Sequence, residues 1–135
     1  IAFGQHSGVI DVNKDKFELP RFPINEKYGE LKRFEELISY LPLQYKKVLP
    51  ENKFMEENKN PPRMSIEFFE DQKNLKKINC FSNEGAKWKK TNIHLNDHKL
   101  IINFIDKFKE RRGRINCSMK DGKVWRFAGF QFVQN

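Results

Sequence analysis

A β-hairpin near the C-terminus constrains the fold of this chain more than any other feature. Two runs of β-favouring residues, 114–118 and 124–133, flank an Asp121-Gly122 pair, which is a strong signal for a tight hairpin turn. Aromatic residues alternate along the second run, and the alternation is interrupted at Gly129. A glycine at such an interruption predicts a β-bulge.

Short β-like runs precede the hairpin at the spacing of a sandwich or a small barrel. Each carries apolar residues that alternate or cluster over a few positions, and they cover residues 63–69, 75–81, 85–94 and 98–105. With the hairpin they give about six strands. The expected fold class is therefore mainly β, an immunoglobulin-like antiparallel β-sandwich.

The first 62 residues have a different texture. Residues 1–25 form two extended pieces, and residues 27–41 place Tyr28, Leu31, Phe34, Leu37, Ile38 and Leu41 on one stripe of an amphipathic α-helix. A charged stretch rich in asparagine and proline follows and ends in Pro61-Pro62. We therefore predict an α/β segment over residues 1–41, a connector over 42–62 and the sandwich over 63–135.

The composition favours a folded domain with a basic surface. The chain has 135 residues, 38% of them hydrophobic, and its 26 basic against 18 acidic side chains give a net charge of +8. No apolar run approaches the roughly 20 residues of a membrane-spanning helix. The chain begins Ile1-Ala2-Phe3-Gly4, without a signal-peptide pattern or an initiator Met, and we expect a processed product or a fragment.

Two cysteines, Cys80 and Cys117, lie on predicted strands 37 positions apart. Strands in facing sheets meet the Cα geometry that a disulfide requires. Two buried free thiols in a cytosolic protein are the other reading, since cysteine is commonly buried. A metal site is disfavoured because neither cysteine has a Cys or His partner at the usual short ligand spacing.

Catalytic patterns are sparse. His94 and His98 have a spacing that suits a metal on a helix, but they straddle a predicted turn, so surface histidines are the default. His6 beside Ser7 lacks a third member for nucleophilic catalysis. The most basic segment, 107–114, suits an anionic polymer or a solvated turn equally well.

The chain also resembles a known family along most of its length. The N-terminal part is similar to the end of the catalytic barrel in bacterial polysaccharide deacetylases, through Phe3-Gly4-Gln5-His6-Ser7-Gly8, Leu19-Pro20-Arg21-Phe22-Pro23-Ile24-Asn25 and Tyr28-Gly29. The later part resembles the C-terminal extension of one subgroup, through Asn60-Pro61-Pro62, Asn79-Cys80-Phe81, Gly113-Arg114-Ile115-Asn116-Cys117-Ser118 and Val124-Trp125-Arg126-Phe127.

The resemblance implies a metal-dependent removal of N-acetyl groups from an amino-sugar glycan, carried out by the full-length enzyme. In the family, the metal-binding Asp pair and helical His-x-x-x-His lie upstream of everything that this chain matches, and His94 and His98 share only the spacing, in the wrong domain. We therefore expect the chain to be inactive alone, with the divalent metal only in an upstream barrel. Arg21 is the one residue whose matched position borders the active site. The resemblance also implies export to the periplasm or cell envelope and favours a Cys80–Cys117 disulfide.

Two functions of different classes follow. In the first, the sandwich is an accessory domain that scaffolds the barrel or holds a polysaccharide, with Trp88 and Arg126 as candidate binding residues and Trp125 packed against the disulfide. Because a +8 chain repels a cationic, fully deacetylated glycan, an acetylated or anionic polymer fits better. The second is a basic nucleic-acid-binding β module centred on residues 107–114, which an oxidised cysteine pair disfavours.

Overall fold

The protein is mainly β. The structure, a computed structural model, describes residues 1–85 and 87–135, and within them two sheets face each other around one core. The strands are β1 (Leu41–Pro42), β2 (Lys47–Leu49), β3 (Phe54–Met55), β4 (Met64–Glu67), β5 (Asn79–Asn83), β6 (Trp88–Lys90), β7 (Asn92–Asn96), β8 (Lys99–Asn103), β9 (Arg112–Asp121) and β10 (Val124–Gln134). The predicted β-sandwich is confirmed at this level.

The first sheet has the order β1-β10-β9-β5-β6, and β3 also pairs with β10. The second sheet has the order β2-β4-β8-β7. Every pairing is antiparallel except those of β1 and β3 with β10, which are parallel. β3 and Pro42 of β1 lie in the predicted connector, whereas Leu41 of β1 lies at the end of the predicted α/β segment. Because β2 belongs to the second sheet, residues 42–62 take part in both sheets. The division of the chain at residues 41 and 62 stays a prediction.

The core lies between the inner faces of the two sheets. Its fully buried members alternate along their strands, as period-two patterning requires, and include Met64, Ile66, Cys80, Leu100, Ile102, Ile115, Cys117 and Met119. Phe104, Phe108 and Phe132 pack together at one end, with ring centroids 5.0 to 6.0 Å apart. The side chain of Asn60 holds the backbone of Phe108 there through two hydrogen bonds of 2.8 Å.

The C-terminal hairpin is longer and more regular than predicted. Its strands pair continuously from Asp121 opposite Val124 to Arg112 opposite Val133, with Gly122 at φ +63° in the turn. The bulge predicted at Gly129 is wrong, because Gly129 pairs in register with Asn116. A Cβ on Gly129 would lie 1.8 Å from the carbonyl oxygen of Ser7, so the glycine permits the N-terminal segment to approach the sheet.

The two cysteines form a disulfide, but within one sheet. Cys80 on β5 lies directly opposite Cys117 on β9, with their Cα atoms 4.1 Å apart. The prediction of a bridge between facing sheets was therefore wrong. A crosslink between residues 37 positions apart lowers the entropy of the unfolded chain and stabilises the fold by about 4 kcal/mol. Trp125 is also not its packing neighbour, since it lies on the opposite, outer face and is 41% exposed.

The predicted strand 85–94 is two strands in different sheets, and its residue 86 lies outside the described residues. β6 pairs with β5 in the first sheet, whereas β7 pairs with β8 in the second. The chain crosses between the sheets at Thr91, which is buried and donates its amide to the carbonyl of Cys80 at 2.9 Å.

Residues 1–40 lie outside the core. The α-helix, α1, spans Leu31–Ile38, shorter than the predicted 27–41, and none of its residues is buried. The N-terminal pieces meet in a parallel bridge between Phe3 and Leu19. Phe22 and Tyr40 cover Phe127 on the outer face of β10, with centroids 5.0 and 6.1 Å from its ring. No helix in the described part of the chain has the length and apolarity needed to span a membrane.

Candidate functional site: the outer face of the first sheet

The outer face of the first sheet carries a row of aromatic and polar side chains. Trp88 on β6 lies opposite Asn83 on β5, and Asn83 lies opposite Arg114 on β9. The Arg114 guanidinium carbon is 5.7 Å from the centroid of the Trp88 ring, within the range of a cation–π contact. The row therefore presents a flat ring, an amide and a charged planar donor side by side.

A second row lies next to the first. Phe81 is placed between Lys90 on β6 and Asn116 on β9, and it is diagonal to Trp88 on the same face. Trp88 is 43% exposed and Phe81 is 44% exposed. The two rings with the flanking Asn83, Arg114 and Asn116 are called the aromatic platform below.

A basic groove borders the aromatic platform at the end of β9. Arg111, Arg112 and Arg114 line it together with Gln5 and Asn83, in a volume of about 700 Å³. Glu110 is the acidic side chain in its wall. An anionic group at the platform would therefore find guanidinium donors in reach, and these donors bind carboxylate or phosphate bidentately.

The buried carboxylate of Glu84 holds in place the β5–β6 hairpin, which carries Trp88 of the aromatic platform. Glu84, which is 4% exposed, accepts hydrogen bonds from the Ser82 hydroxyl at 2.7 Å and the Asp106 backbone N–H at 2.7 Å. Thr91 donates to the Ser82 hydroxyl at 2.8 Å. The loop after β8 is thereby tied to the hairpin that carries Trp88.

Lys89 completes this network from the solvent side. Its ammonium lies 2.5 Å from an Asp106 carboxylate oxygen and 3.1 Å from Glu84. The hydrogen bond to Asp106, followed by the one to Glu84, raises the pKa of Lys89. The same ammonium holds the pKa of Asp106 below its usual value. Lys89, the residue after Trp88 on β6, therefore ties this strand to Glu84 and to Asp106 in the loop after β8.

The residues predicted from the sequence are not all brought together. Trp88 lies on the aromatic platform, whereas Arg126 lies on the inner side of β10 near the hairpin turn, where it donates to Asp121 at 2.7 Å and to the Pro42 carbonyl at 3.2 Å. That ion pair, with a hydrogen bond from Asn74, lowers the pKa of Asp121. Arg21 is exposed in the N-terminal segment. The binding roles of Trp88 and Arg126 and the place of Arg21 beside an active site stay predictions.

The histidine pair is divided between a strand and a turn. His94 lies on the outer face of the second sheet and His98 lies in the β7–β8 turn, which agrees with the predicted hairpin. Across residues 1–85 and 87–135, no three His, Cys, Asp or Glu side chains come together as metal ligands.

Sequence reasoning missed Phe81, Asn83 and Asn116. They alternate with Cys80, Ser82 and Cys117 along β5 and β9, so the alternation itself contains the signal. Using it requires the knowledge that the cysteines face inward and that both strands are neighbours in one sheet.

Comparison with known proteins gives no match for the chain: no family, no curated protein and no solved structure is significantly similar to it.

Proposed function

We propose that this chain is a non-catalytic accessory region of a polysaccharide deacetylase, in which the aromatic platform holds the glycan. The observation that carries the proposal is the exposed Trp88 ring in one row with Asn83 and Arg114 on the outer face of the first sheet. Exposed aromatic rings stack on the apolar face of a sugar, and amides with a guanidinium supply directional hydrogen bonds to its hydroxyl and acetamido groups. The family assignment rests on the sequence motifs alone.

The glycan of this proposal is neutral or anionic. The net charge is +8, and the groove beside the aromatic platform contributes three arginines. A fully deacetylated amino-sugar polymer is cationic and is repelled by such a surface. An N-acetylated or acid-bearing polymer is therefore the preferred ligand.

The scaffolding part of the proposal concerns residues 1–41. Several of their apolar side chains are exposed, including Phe17, Leu31 and Ile38 at 77%, 71% and 68%. In a deacetylase these side chains would be covered by the catalytic barrel that the resemblance implies. The proposal also includes export and an immunoglobulin-like type of sandwich, although the disulfide joins neighbours in one sheet, unlike that of antibody domains.

The test measures binding of the full chain to acetylated chitin oligomers, to their deacetylated forms and to a single-stranded oligonucleotide. Trp88→Ala is expected to weaken binding of the acetylated oligomer about tenfold, the equivalent of about 1.4 kcal/mol. Phe69→Ala is the matched control, because Phe69 is a similarly exposed aromatic residue, 45% exposed, beyond the end of β4. Equal affinities of wild type and Trp88→Ala for the acetylated oligomer would contradict the proposal.

Nucleic-acid binding is the second candidate, favoured by the three arginines of the basic groove beside Trp88. Bases stack on aromatic rings while cations neutralise phosphates. Its signature is binding to the oligonucleotide that weakens steeply with salt, at a slope of roughly −0.7 per phosphate contacted. Retention on the oligonucleotide with none on the glycans would favour this function over the first.

A further inference from the structure

The edge of β10 opposite β9 is open in its middle. β1 pairs with β10 at Arg126 and Phe127, and β3 pairs with it at Val133 and Gln134. Between these points no described strand lies beside β10, because the chain from residue 43 to residue 53 leaves to form β2 against β4 in the second sheet. The edge therefore has a gap over residues 128–132.

Backbone groups of Gly129 and Gln131 point into this gap. The Phe127 carbonyl accepts from the Leu43 amide, and the Val133 amide donates to the Lys53 carbonyl, both at 2.9 Å on this edge. Residues two apart on a strand direct their backbone groups to the same side. In the described part of the chain neither Gly129 nor Gln131 forms a backbone hydrogen bond to this side, so donors and acceptors are both available.

A cleft of about 440 Å³ occupies the gap. Glu18, Lys53 and Gln131, which come from three different segments of the chain, form a polar cluster in the cleft. One carboxylate oxygen of Glu18 accepts a hydrogen bond from the Gln131 side-chain amide, and the other pairs with the Lys53 ammonium. The side-chain oxygen of Gln131 is buried and has no hydrogen-bond partner among the described residues. The partly exposed Glu18 carboxylate and Lys53 ammonium are the side-chain groups of this cluster that a ligand can reach.

Aromatic rings also line the cleft. Tyr45 packs on Phe130 with centroids 5.4 Å apart, and the Lys14 ammonium lies 5.0 Å from the centre of the Tyr45 ring. Two lysines, Lys14 and Lys53, and three acidic side chains, Asp15, Glu18 and Glu51, line the cleft. Their charges largely cancel, which disfavours a ligand recognised by its net charge.

We propose that this cleft binds a single sugar ring, as a free monosaccharide or as the end of a glycan chain. A pyranose offers hydroxyls that both donate and accept, matching the free backbone groups and the Glu18–Lys53–Gln131 cluster, and a C–H face that stacks on an aromatic wall. An added peptide strand fits less well, since the gap offers two outward-facing residues and is closed at both ends by β1 and β3. The inference does not depend on the aromatic platform, which lies on other strands.

The test is a titration of the ¹⁵N-labelled full chain with D-glucose, N-acetyl-D-glucosamine, chitotriose and triglycine. The expected result is a saturable shift of the Gly129 and Gln131 amide signals with the sugars. A response to the free sugars alone identifies a monosaccharide site, and a response to chitotriose as well identifies a glycan-end site. Absence of these shifts at the solubility limit of every sugar, or their appearance with triglycine alone, would overturn the proposal.

Variants separate this site from the aromatic platform. Gln131→Leu and Glu18→Gln are each expected to weaken sugar binding about tenfold, because the first removes the side-chain amide from the cleft and the second replaces a carboxylate oxygen by an NH2 group and removes its charge. Trp88→Ala is expected to leave the Gly129 and Gln131 shifts unchanged while it reduces binding of longer glycans. If Trp88→Ala abolishes the shifts and the cleft variants do not, the sugar binds only at the platform and the cleft proposal fails.

Discussion

Gly129 lies on the outer face of β10, where the carbonyl of Ser7 occupies the space that a side chain would need. In the sequence Gly129 interrupts the aromatic alternation, and this interruption predicts a β-bulge. The strand in fact alternates without a break, so Trp125 and Phe127 face outward while Phe130 and Phe132 face inward. A close approach from a residue about 120 positions away in the chain leaves no mark on the local pattern.

We expect Gly129→Ala to destabilise the protein by about 1–3 kcal/mol, the usual cost of overpacking. The new Cβ would lie 1.8 Å from the Ser7 oxygen, so the N-terminal segment must shift away from β10. Gly85→Ala is the control, because nothing lies within 4 Å of a Cβ there. Chemical denaturation of both variants measures the difference, and equal free energies of unfolding would show that the segment adapts without cost.

His6 makes the docking of the N-terminal segment dependent on pH. Burial lowers the pKa of His6 below the ordinary value of 6.5, although Glu18 acts in the opposite direction. A histidine with a lowered pKa binds fewer protons in the folded state than in the unfolded state. The free energy of unfolding therefore falls as the pH drops below about 6.5 and stops falling below the lowered, folded-state pKa.

His6→Gln is expected to remove this component. Unfolding curves between about pH 8 and about pH 5 should show a smaller decrease in stability for His6→Gln than for wild type. His94→Gln provides the comparison, because His94 is exposed on the other sheet. Identical pH profiles for wild type and His6→Gln would mean that protonation of His6 is not linked to folding.

At the scale of elements, Glu84 connects the β5–β6 hairpin to the loop between β8 and β9. The Glu84 carboxylate accepts a hydrogen bond from the Asp106 backbone N–H, and the Glu84 backbone carbonyl accepts one from the Lys109 amide at 3.2 Å. Glu84→Gln keeps the shape of the side chain but replaces one carboxylate oxygen by an NH2 group. This donor would face the Ser82 hydroxyl or the Asp106 N–H, which are donors themselves. We expect a loss of about 1.5–3 kcal/mol, the range for hydrogen bonds to a charged group.

Amide hydrogen exchange gives a sharper readout for Glu84→Gln than global stability does. Asp106 and Lys109 should lose protection, while the β9–β10 ladder should keep its protection up to the global opening. Glu57→Gln is the control, because Glu57 is exposed in a short 3₁₀ turn. Unchanged protection of Asp106 would show that the loop is held by other contacts, such as those of Asn60 with Phe108.

The sequence was sufficient to locate most strands but not to assign them to sheets. Alternation identified β4, β8 and the C-terminal hairpin, because each has one buried face. The predicted strand 75–81 was only partly right, since residues 75–77 form a short 3₁₀ helix and β5 runs from Asn79 to Asn83. Alternation could not show that the chain passes from one sheet to the other at Thr91, because buried and exposed positions keep alternating from β6 through Thr91 into β7. The same limit applies to the aromatic platform: Trp88 was a candidate, whereas Asn83 and Arg114 join it only through pairing in register.

At the scale of the whole molecule, the buried core and the exposed apolar surface come from different parts of the chain. The buried residues of the central cluster all lie between Leu43 and Phe132. Residues 1–41 instead contribute exposed side chains, among them Ile1, Val12 and Phe17 at 87%, 97% and 77%. The apolar stripe of α1 was predicted from its spacing, but none of the α1 residues is buried against the sandwich.

This division predicts how truncation affects folding. Residues 41–135 keep every strand and the whole central cluster, so this piece should unfold cooperatively, with some loss of stability from uncovering Phe127. Residues 63–135, the sandwich expected from the sequence, lack β1, β2 and β3 and the buried Leu43 and Met55. Because deleting one such buried side chain costs about 2–5 kcal/mol against a total of about 5–15, we expect the shorter piece not to fold.

Thermal unfolding followed by circular dichroism and the dispersion of amide signals measure both truncated chains. The result expected is a cooperative transition for residues 41–135 and none for residues 63–135. If residues 63–135 fold as stably as residues 41–135, the predicted boundary at residue 62 is right and the parallel pairing of β1 and β3 with β10 contributes little. If residues 41–135 also fail to fold, the cover that residues 1–40 place on β10 is required, and the sandwich depends on its N-terminal segment.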